Sequence, residues 1–252
     1  MWENVTRQTR RTATLAVAVL VTTGFVGIGV AATGAADSGA GQVRVAHLSP
    51  DAPAVDVLVD GDTVLEGVEF GTVSNYLQVP SGERTVTIRT AENDTVVFEG
   101  NISVEAGTMY TVAALGEVSE ETFRPAVFVD DFETPSEENA SVRLVHASPD
   151  APAVDVTVAG TDTVLYDNVS FANATDYVTV PAGDYELEIR PATEDDDGEV
   201  VTTVDVSLEG GTVYSAIAAG YLSPDDEPAD EPFRVILATD AGGEEMNATN
   251  EG

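Results

Sequence analysis

The sequence predicts an all-β protein, with two tandem antiparallel β-sandwich (immunoglobulin-like) domains following an N-terminal signal or anchor segment. Three observations lead there. The 252-residue chain repeats itself over about 90 residues. Within each repeat, short runs rich in Val, Ile, Thr and Tyr alternate apolar with polar and stop at Gly, Pro, Asn or Asp. No run shows the 3.6-residue period of an amphipathic helix. A closed barrel is the second architecture compatible with this pattern.

The segment 1–36 reads as an export signal. Arg7, Arg10 and Arg11 precede an uncharged run from Leu15 to Ala32, and small residues follow in "AATGAADSGA". Arg10-Arg11 after Thr9 resembles a twin-arginine signal, although Ala13 and Thr14 stand where that motif has bulkier apolar residues. Cleavage near Ala36 leaves 7 Arg against 44 acidic residues, a charge of -37. A run of this length also suits a retained membrane anchor, but Gly24, Gly27 and Gly29 dilute it and favour cleavage. The expected location is extracellular or at the cell surface, with membrane contact only if this segment is retained.

The first repeat covers 42–131 and the second 141–240. "VRVAHLSPDAPAVDVLV" from Val43 pairs with "VRLVHASPDAPAVDVTV" from Val142, and "DTVLEGVEFG" with "DTVLYDNVSFA". "NYLQVPSGERTVTIR" pairs with "DYVTVPAGDYELEIR", "GTMYTVAALG" with "GTVYSAIAAG", and "FRPAVFVDD" with "FRVILATD". The offset grows from 99 to 110 residues through insertions in polar stretches such as "TEDDDGE", which marks those stretches as loops. In "VDVLVDG", Val55, Val57 and Val59 share one face; in "RTVTIRT", Val86 and Ile88 oppose Thr85, Thr87 and Arg89. "VPSGERTV" and "VPAGDYEL" read as hairpin turns, with Pro fixing φ and Gly supplying a positive φ. The linker 132–140 is acidic and contains Pro135, and the tail 241–252 is polar, with the composition of a disordered end.

The formal charge of -35 comes from 45 acidic residues against 10 arginines, with no lysine. Such a surface repels nucleic acid and anionic membranes. Acidic residues are spread through both repeats, as expected of a halophilic protein, because molar salt shortens the Debye length to about 3 Å and screens the repulsion. The absence of Cys excludes disulfides. Seven of nine asparagines head an N-x-S/T triplet, and outside the signal these are Asn93, Asn101, Asn139, Asn168, Asn173 and Asn247, candidate glycan acceptors on an exported chain.

The longest conserved stretch is "HLSPDAPAVDV", which returns as "HASPDAPAVDV" with ten of eleven letters unchanged. Ser49-Pro50-Asp51-Ala52-Pro53 between two strand-like runs is a turn whose side chains can bond nearby amides, and Asp56 can accept from that turn or from a neighbouring strand. The functional alternative is a divalent metal held by His47, Asp51 and Asp56, and again by His146, Asp150 and Asp155. That set lacks a fixed ligand spacing, and Asp51, Asp56, Asp150 and Asp155 are weak candidates only. No cofactor is expected. With two His, no Cys, no G-x-S-x-G, no P-loop and no H-E-x-x-H, catalysis is not expected either, though abundant carboxylates leave a hydrolase of unrecognised type open. Tyr76 and Tyr177, Tyr110 and Tyr214, Phe70 and Phe171, and Phe123 and Phe233 occupy equivalent places and read as core fillers.

The opening "VRVAHLSPDAPAVDV", together with "VEFGTVSNYLQVPSGERTVTIR" and "AGTMYTVAALG", resembles the exported domain of unknown function 4397, over nearly all of both repeats. The resemblance implies an extracellular β-domain, often in tandem, with no catalytic residues to carry over. The function expected is a non-catalytic surface or secreted module. A carbohydrate- or protein-binding adhesin is the alternative, so the partner would be a surface protein or a glycan.

Overall fold

A computed structural model describes residues 39–242. The expected signal 1–36, most of the tail 241–252, and Asn247 lie outside the described residues. The first repeat forms β1 (Ala40–His47), β2 (Val55–Val59), β3 (Asp62–Val68), β4 (Leu77–Pro80), β5 (Gly82–Thr90), β6 (Val96–Val104), β7 (Met109–Leu115) and β8 (Arg124–Val129). The second forms β9 (Asn139–Ala147), β10 (Val154–Val158), β11 (Val164–Val169), β12 (Val178–Pro181), β13 (Gly183–Pro191), β14 (Thr202–Leu208), β15 (Val213–Ala219) and β16 (Arg234–Ala241). One 3₁₀ turn at Pro224–Asp226 accompanies them. No helix among the described residues is long and apolar enough to cross a membrane.

Each repeat is a two-sheet sandwich. The sheets run β4-β1-β7-β8 and β3-β2-β5-β6 in the first, and β12-β9-β15-β16 and β11-β10-β13-β14 in the second. Most pairings are antiparallel; β1 with β7 and β9 with β15 are parallel, Arg44 lying opposite Thr111 and Arg143 opposite Ser215.

The Pro-x-Gly segments do not make hairpins. β4 belongs to one sheet and β5 to the other, so Pro80-Ser81-Gly82 carries the chain across the sandwich, and Pro181-Ala182-Gly183 does the same. The sequence signal for a sharp change of direction was correct; the partner of each flanking strand is decided by distant residues that local turn chemistry does not reveal. Gly82 at φ 113° and Gly183 at φ 148° take a backbone region that side chains disfavour.

The two sandwiches stack, so the sheets containing β1 and β9 are covered on both faces. Val43 and Val45 face the first sandwich's own core, with Tyr110 and Val112 from β7. Leu144, Val154 and Ile189 fill the second core. Ala46, Leu48, Ala113 and Leu115 turn the other way and join Val145, Ala147, Ile217 and Ala219 in a cluster built from both repeats. The molecule is therefore four layers deep, and its inner sheets read almost continuously apolar because neither face meets water.

Candidate functional site: the repeated turn and the charge clasp

The repeated stretch begins at the end of β1 and of β9. The ring of His47 is fully buried and its Nε2 donates to the Pro53 carbonyl at 3.1 Å; His146 does the same to Pro152 at 2.9 Å. A carbonyl only accepts, so Nε2 carries the hydrogen. Each ring stands edge-on to a phenylalanine, His47 to Phe70 and His146 to Phe171. Burial lowers both histidine pKa values, against the opposing pull of the proline carbonyls.

The aspartates of the stretch are tied to neighbouring loops. Asp51 accepts from the backbone N–H groups of Val118 and Ser119 at 2.9 and 2.8 Å and from the Ser119 hydroxyl at 2.7 Å. Asp150 accepts from the N–H groups of Leu222 and Ser223, both at 3.0 Å. Partial burial alone would raise Asp51, but the bonds from Ser119 and Val118 outweigh it and leave its pKa lowered. These contacts fasten the turn to the β7–β8 and β15–β16 connections.

Asp56 accepts from the Gly67 N–H at 2.9 Å and pairs with Arg89 at 3.2 Å, and Arg89 also pairs with Asp94 at 3.1 Å. In the second repeat Asp155 accepts from the N–H groups of Asn168 and Thr193 at 2.8 and 3.0 Å. Arg190, at the place of Arg89, turns instead to Glu188 and the Gly198 carbonyl. Carboxylate oxygens of Asp155, Asp167 and Asp196 come within 4.8 Å of one another. Burial, then Asp155 and Asp167, raise the pKa of Asp196. The four aspartates expected as weak metal candidates are thus not gathered into one site: Asp51 and Asp56 serve different loops, as do Asp150 and Asp155.

Between the sandwiches lies a group that the sequence reading did not single out. Arg44 and Arg143 are each 1% exposed. Arg44 donates from Nε to the Thr111 hydroxyl at 2.8 Å on its own sheet, and reaches across to Ser215 Oγ at 3.0 Å and Asp240 at 2.6 Å. Arg143 mirrors it, from Nε to Ser215 Oγ at 2.8 Å, then across to Thr111 Oγ1 at 3.2 Å and Asp130 at 2.5 Å. Tyr76 donates to Asp130 and Tyr177 to Asp240 at 2.6 and 2.5 Å, and each arginine lies 4.9 Å from the ring centre of the tyrosine on its own repeat. Burial, then the adjacent carboxylate, raises the Tyr76 pKa; burial raises Tyr177 as well. Burial opposes the charge of Arg143, but Asp130 outweighs it and raises its pKa.

Tyr76 and Tyr177 therefore cover this clasp and do not fill a sandwich core as expected, whereas Tyr110 and Tyr214 do. Phe70 and Phe171 also sit at the junction, under Arg234 and Arg124 of the opposite repeat. The available signal was a single arginine inside "VRVAHL" and "VRLVHA": its neighbours on the same phase, Ala46 and Leu48 or Val145 and Ala147, are apolar. A charge in that phase marks a second buried face.

No curated protein matches the chain. Among solved structures, the TIE protein of Bacillus anthracis aligns at 10% identity over 73% of this chain, with a TM-score of 0.24; the chain spans 34% of that protein's length. A family 26 carbohydrate-binding module from Eubacterium rectale Amy13K aligns at 9% identity over 81% of this chain and 98% of its own, with a TM-score of 0.24. An α-glucan-binding streptococcal virulence factor aligns at 10% over 66% and 88%, with a TM-score of 0.23. The family model for the domain of unknown function DUF4397 matches at residues 41–157 and again at 140–243, covering both sandwiches, and the chain belongs to that family.

Proposed function

We propose that the chain is an exported, non-catalytic β-module, displayed at the cell surface or secreted, whose rigid double sandwich holds an acidic surface in a concentrated salt medium. One observation carries this reading. The side chains with chemical potential in the repeated stretch are consumed internally: both histidines bond proline carbonyls, and Asp51, Asp150, Asp56 and Asp155 accept from backbone amides. A group committed to a neighbouring loop fixes shape. The partner such a module meets is a surface protein or a glycan, reached through its outer sheets and loops, and its attachment to a membrane would rest on residues 15–32.

A surface of 45 acidic and 10 basic residues supports the salt adaptation. At low ionic strength its self-repulsion acts against the compact state; at molar salt the screening length of about 3 Å removes most of that penalty. The test is thermal unfolding of the chain across a salt series, with and without a chelator. The midpoint is expected to climb steadily into molar salt whether or not calcium is present. A midpoint that stays flat would contradict the salt adaptation, and rescue by micromolar calcium alone would make the motif an ion site.

A further inference from the structure

Five N-x-S/T triplets fall within the described residues, and the fold sorts them into two groups. Asn93, Asn101 and Asn168 are exposed, and so are Thr95, Ser103 and Ser170, which complete their triplets. Asn93 lies in the turn between β5 and β6. Its Oδ1 accepts from the Thr90 hydroxyl at 2.5 Å and from the N–H of Thr95 at 3.1 Å, which fixes the amide oxygen and leaves Nδ2 with no partner among the described residues. Asn101 lies on β6, where Oδ1 accepts from Thr85 at 3.1 Å and the two-residue period puts Ser103 on the same face. Asn168 lies on β11; its backbone N–H bonds Asp155, and its side chain has no partner among the described residues.

Asn173 is exposed too and Asn139 is half-buried, but the side-chain amides of both are already committed. The Nδ2 of Asn139 donates to Ser136 Oγ at 2.9 Å, and the rest of its triplet is buried, Ala140 at 0% and Ser141 at 3% exposed. The Nδ2 of Asn173 donates to the carbonyls of Ser170 and Phe171, both at 3.2 Å. The hydroxyl of Thr175 is occupied twice, accepting from the Leu144 N–H at 3.0 Å and donating to the Asp176 carbonyl at 2.9 Å.

We propose that Asn93, Asn101 and Asn168 carry N-linked glycans added to the folded chain, and that Asn139 and Asn173 stay bare. The inference rests on the exported reading above. The co-reactant is a glycosyl phosphate donor: a bond forms between Nδ2 and the anomeric carbon, the bond from that carbon to the phosphate oxygen breaks, the phosphate leaves with the electron pair, and the proton that Nδ2 loses passes to the departing phosphate through solvent. The step needs an uncommitted Nδ2 and a reachable hydroxyl two residues on. Transfer to an extended chain would see five equivalent triplets; transfer to the folded chain sees three. The chosen positions also have a structural consequence. β6 and β11 are edge strands of the two outer sheets, and a glycan on an edge blocks the strand pairing that an open edge invites.

The test is site-resolved glycopeptide mass spectrometry on the chain purified from its natural producer. A protease cutting after Asp and Glu is suited to a sequence without lysine; cleavage after Glu99 and Glu105 separates Asn101 from Asn93, and electron-transfer fragmentation locates the sugar on the peptide from Asn168 to Asp176, which holds both Asn168 and Asn173. Sugar is expected on Asn93, Asn101 and Asn168, with Asn139 and Asn173 recovered unmodified. Sugar on Asn139 or Asn173, or a bare asparagine at any of the other three positions, overturns the proposal. The same digest reports the mature N-terminus: an exported chain with bare asparagines defeats this proposal alone, whereas a chain never exported defeats it together with the exported reading.

Discussion

Arg44, Arg143, Asp130 and Asp240 are the residues whose loss the molecule should tolerate least. All four are buried, and each arginine closes an ion pair across the junction. Such a group adds little net stability over a packed apolar one, because desolvation offsets the attraction, but removing one member strands the other. Asp130→Ala leaves the Arg143 guanidinium without its carboxylate and should cost about 3–5 kcal/mol. Urea unfolding of the variant beside Glu231→Ala, which removes only an exposed pair with Arg234 and should leave the midpoint almost unmoved, checks the contrast. The histidines give a pH dependence of definite sign. Their folded pKa values lie below the ordinary 6.5, so the unfolded chain binds more protons between the two values and stability is lost as pH falls below about 6.5. Asp51, held below its ordinary 3.8, extends the loss further into acid. Thermal midpoints at fixed molar salt should be level from about pH 7 to 8 and fall through pH 6 and 5, with the fall from 7 to 5 reduced in His47→Gln.

At the scale of the element, the sequence read well wherever a strand has one wet face. The alternation in "RTVTIRT" gave β5 its inward Val86 and Ile88, and "VDVLV" became β2. Reading failed where pairing depends on residues far apart. Nothing local to "VRVAHL" and "MYTVAALG" announces that they lie side by side and parallel, since parallel partners need a long crossover and here the intervening chain builds the whole opposite sheet first. The turn at Pro80-Ser81-Gly82 was legible as a change of direction and not as a crossing between sheets, because turn chemistry fixes the backbone angles and leaves the later partner open. In the repeated stretch the turn itself was legible, as was the alternation that frees Asp56 to accept from elsewhere. The destinations of Asp51 and Asp150, in loops 67 and 72 residues away, were not. Tyr76 and Tyr177 were misplaced for a related reason: apolar rings were assigned to the only cores in view, and the third apolar layer arises from stacking two sandwiches, which composition within one repeat does not disclose.

At the scale of the molecule, the repeats were read as separate domains on a polar linker, yet they share an apolar cluster and a clasp that crosses between them. Asn139 at the linker's end bonds Ser136, and Gly211 N–H also donates to the Ser136 carbonyl, so the connection packs against the second sandwich. Acidic outer sheets surround a buried centre, apolar around a charged clasp, that joins the two repeats. Differential scanning calorimetry of the chain in molar salt tests this most directly. The account predicts a single transition whose calorimetric enthalpy equals the van't Hoff enthalpy, shifted down as one peak by Asp130→Ala. Two resolved transitions, with Asp130→Ala leaving the second where it was, would contradict it and return the chain to two independent domains on a string.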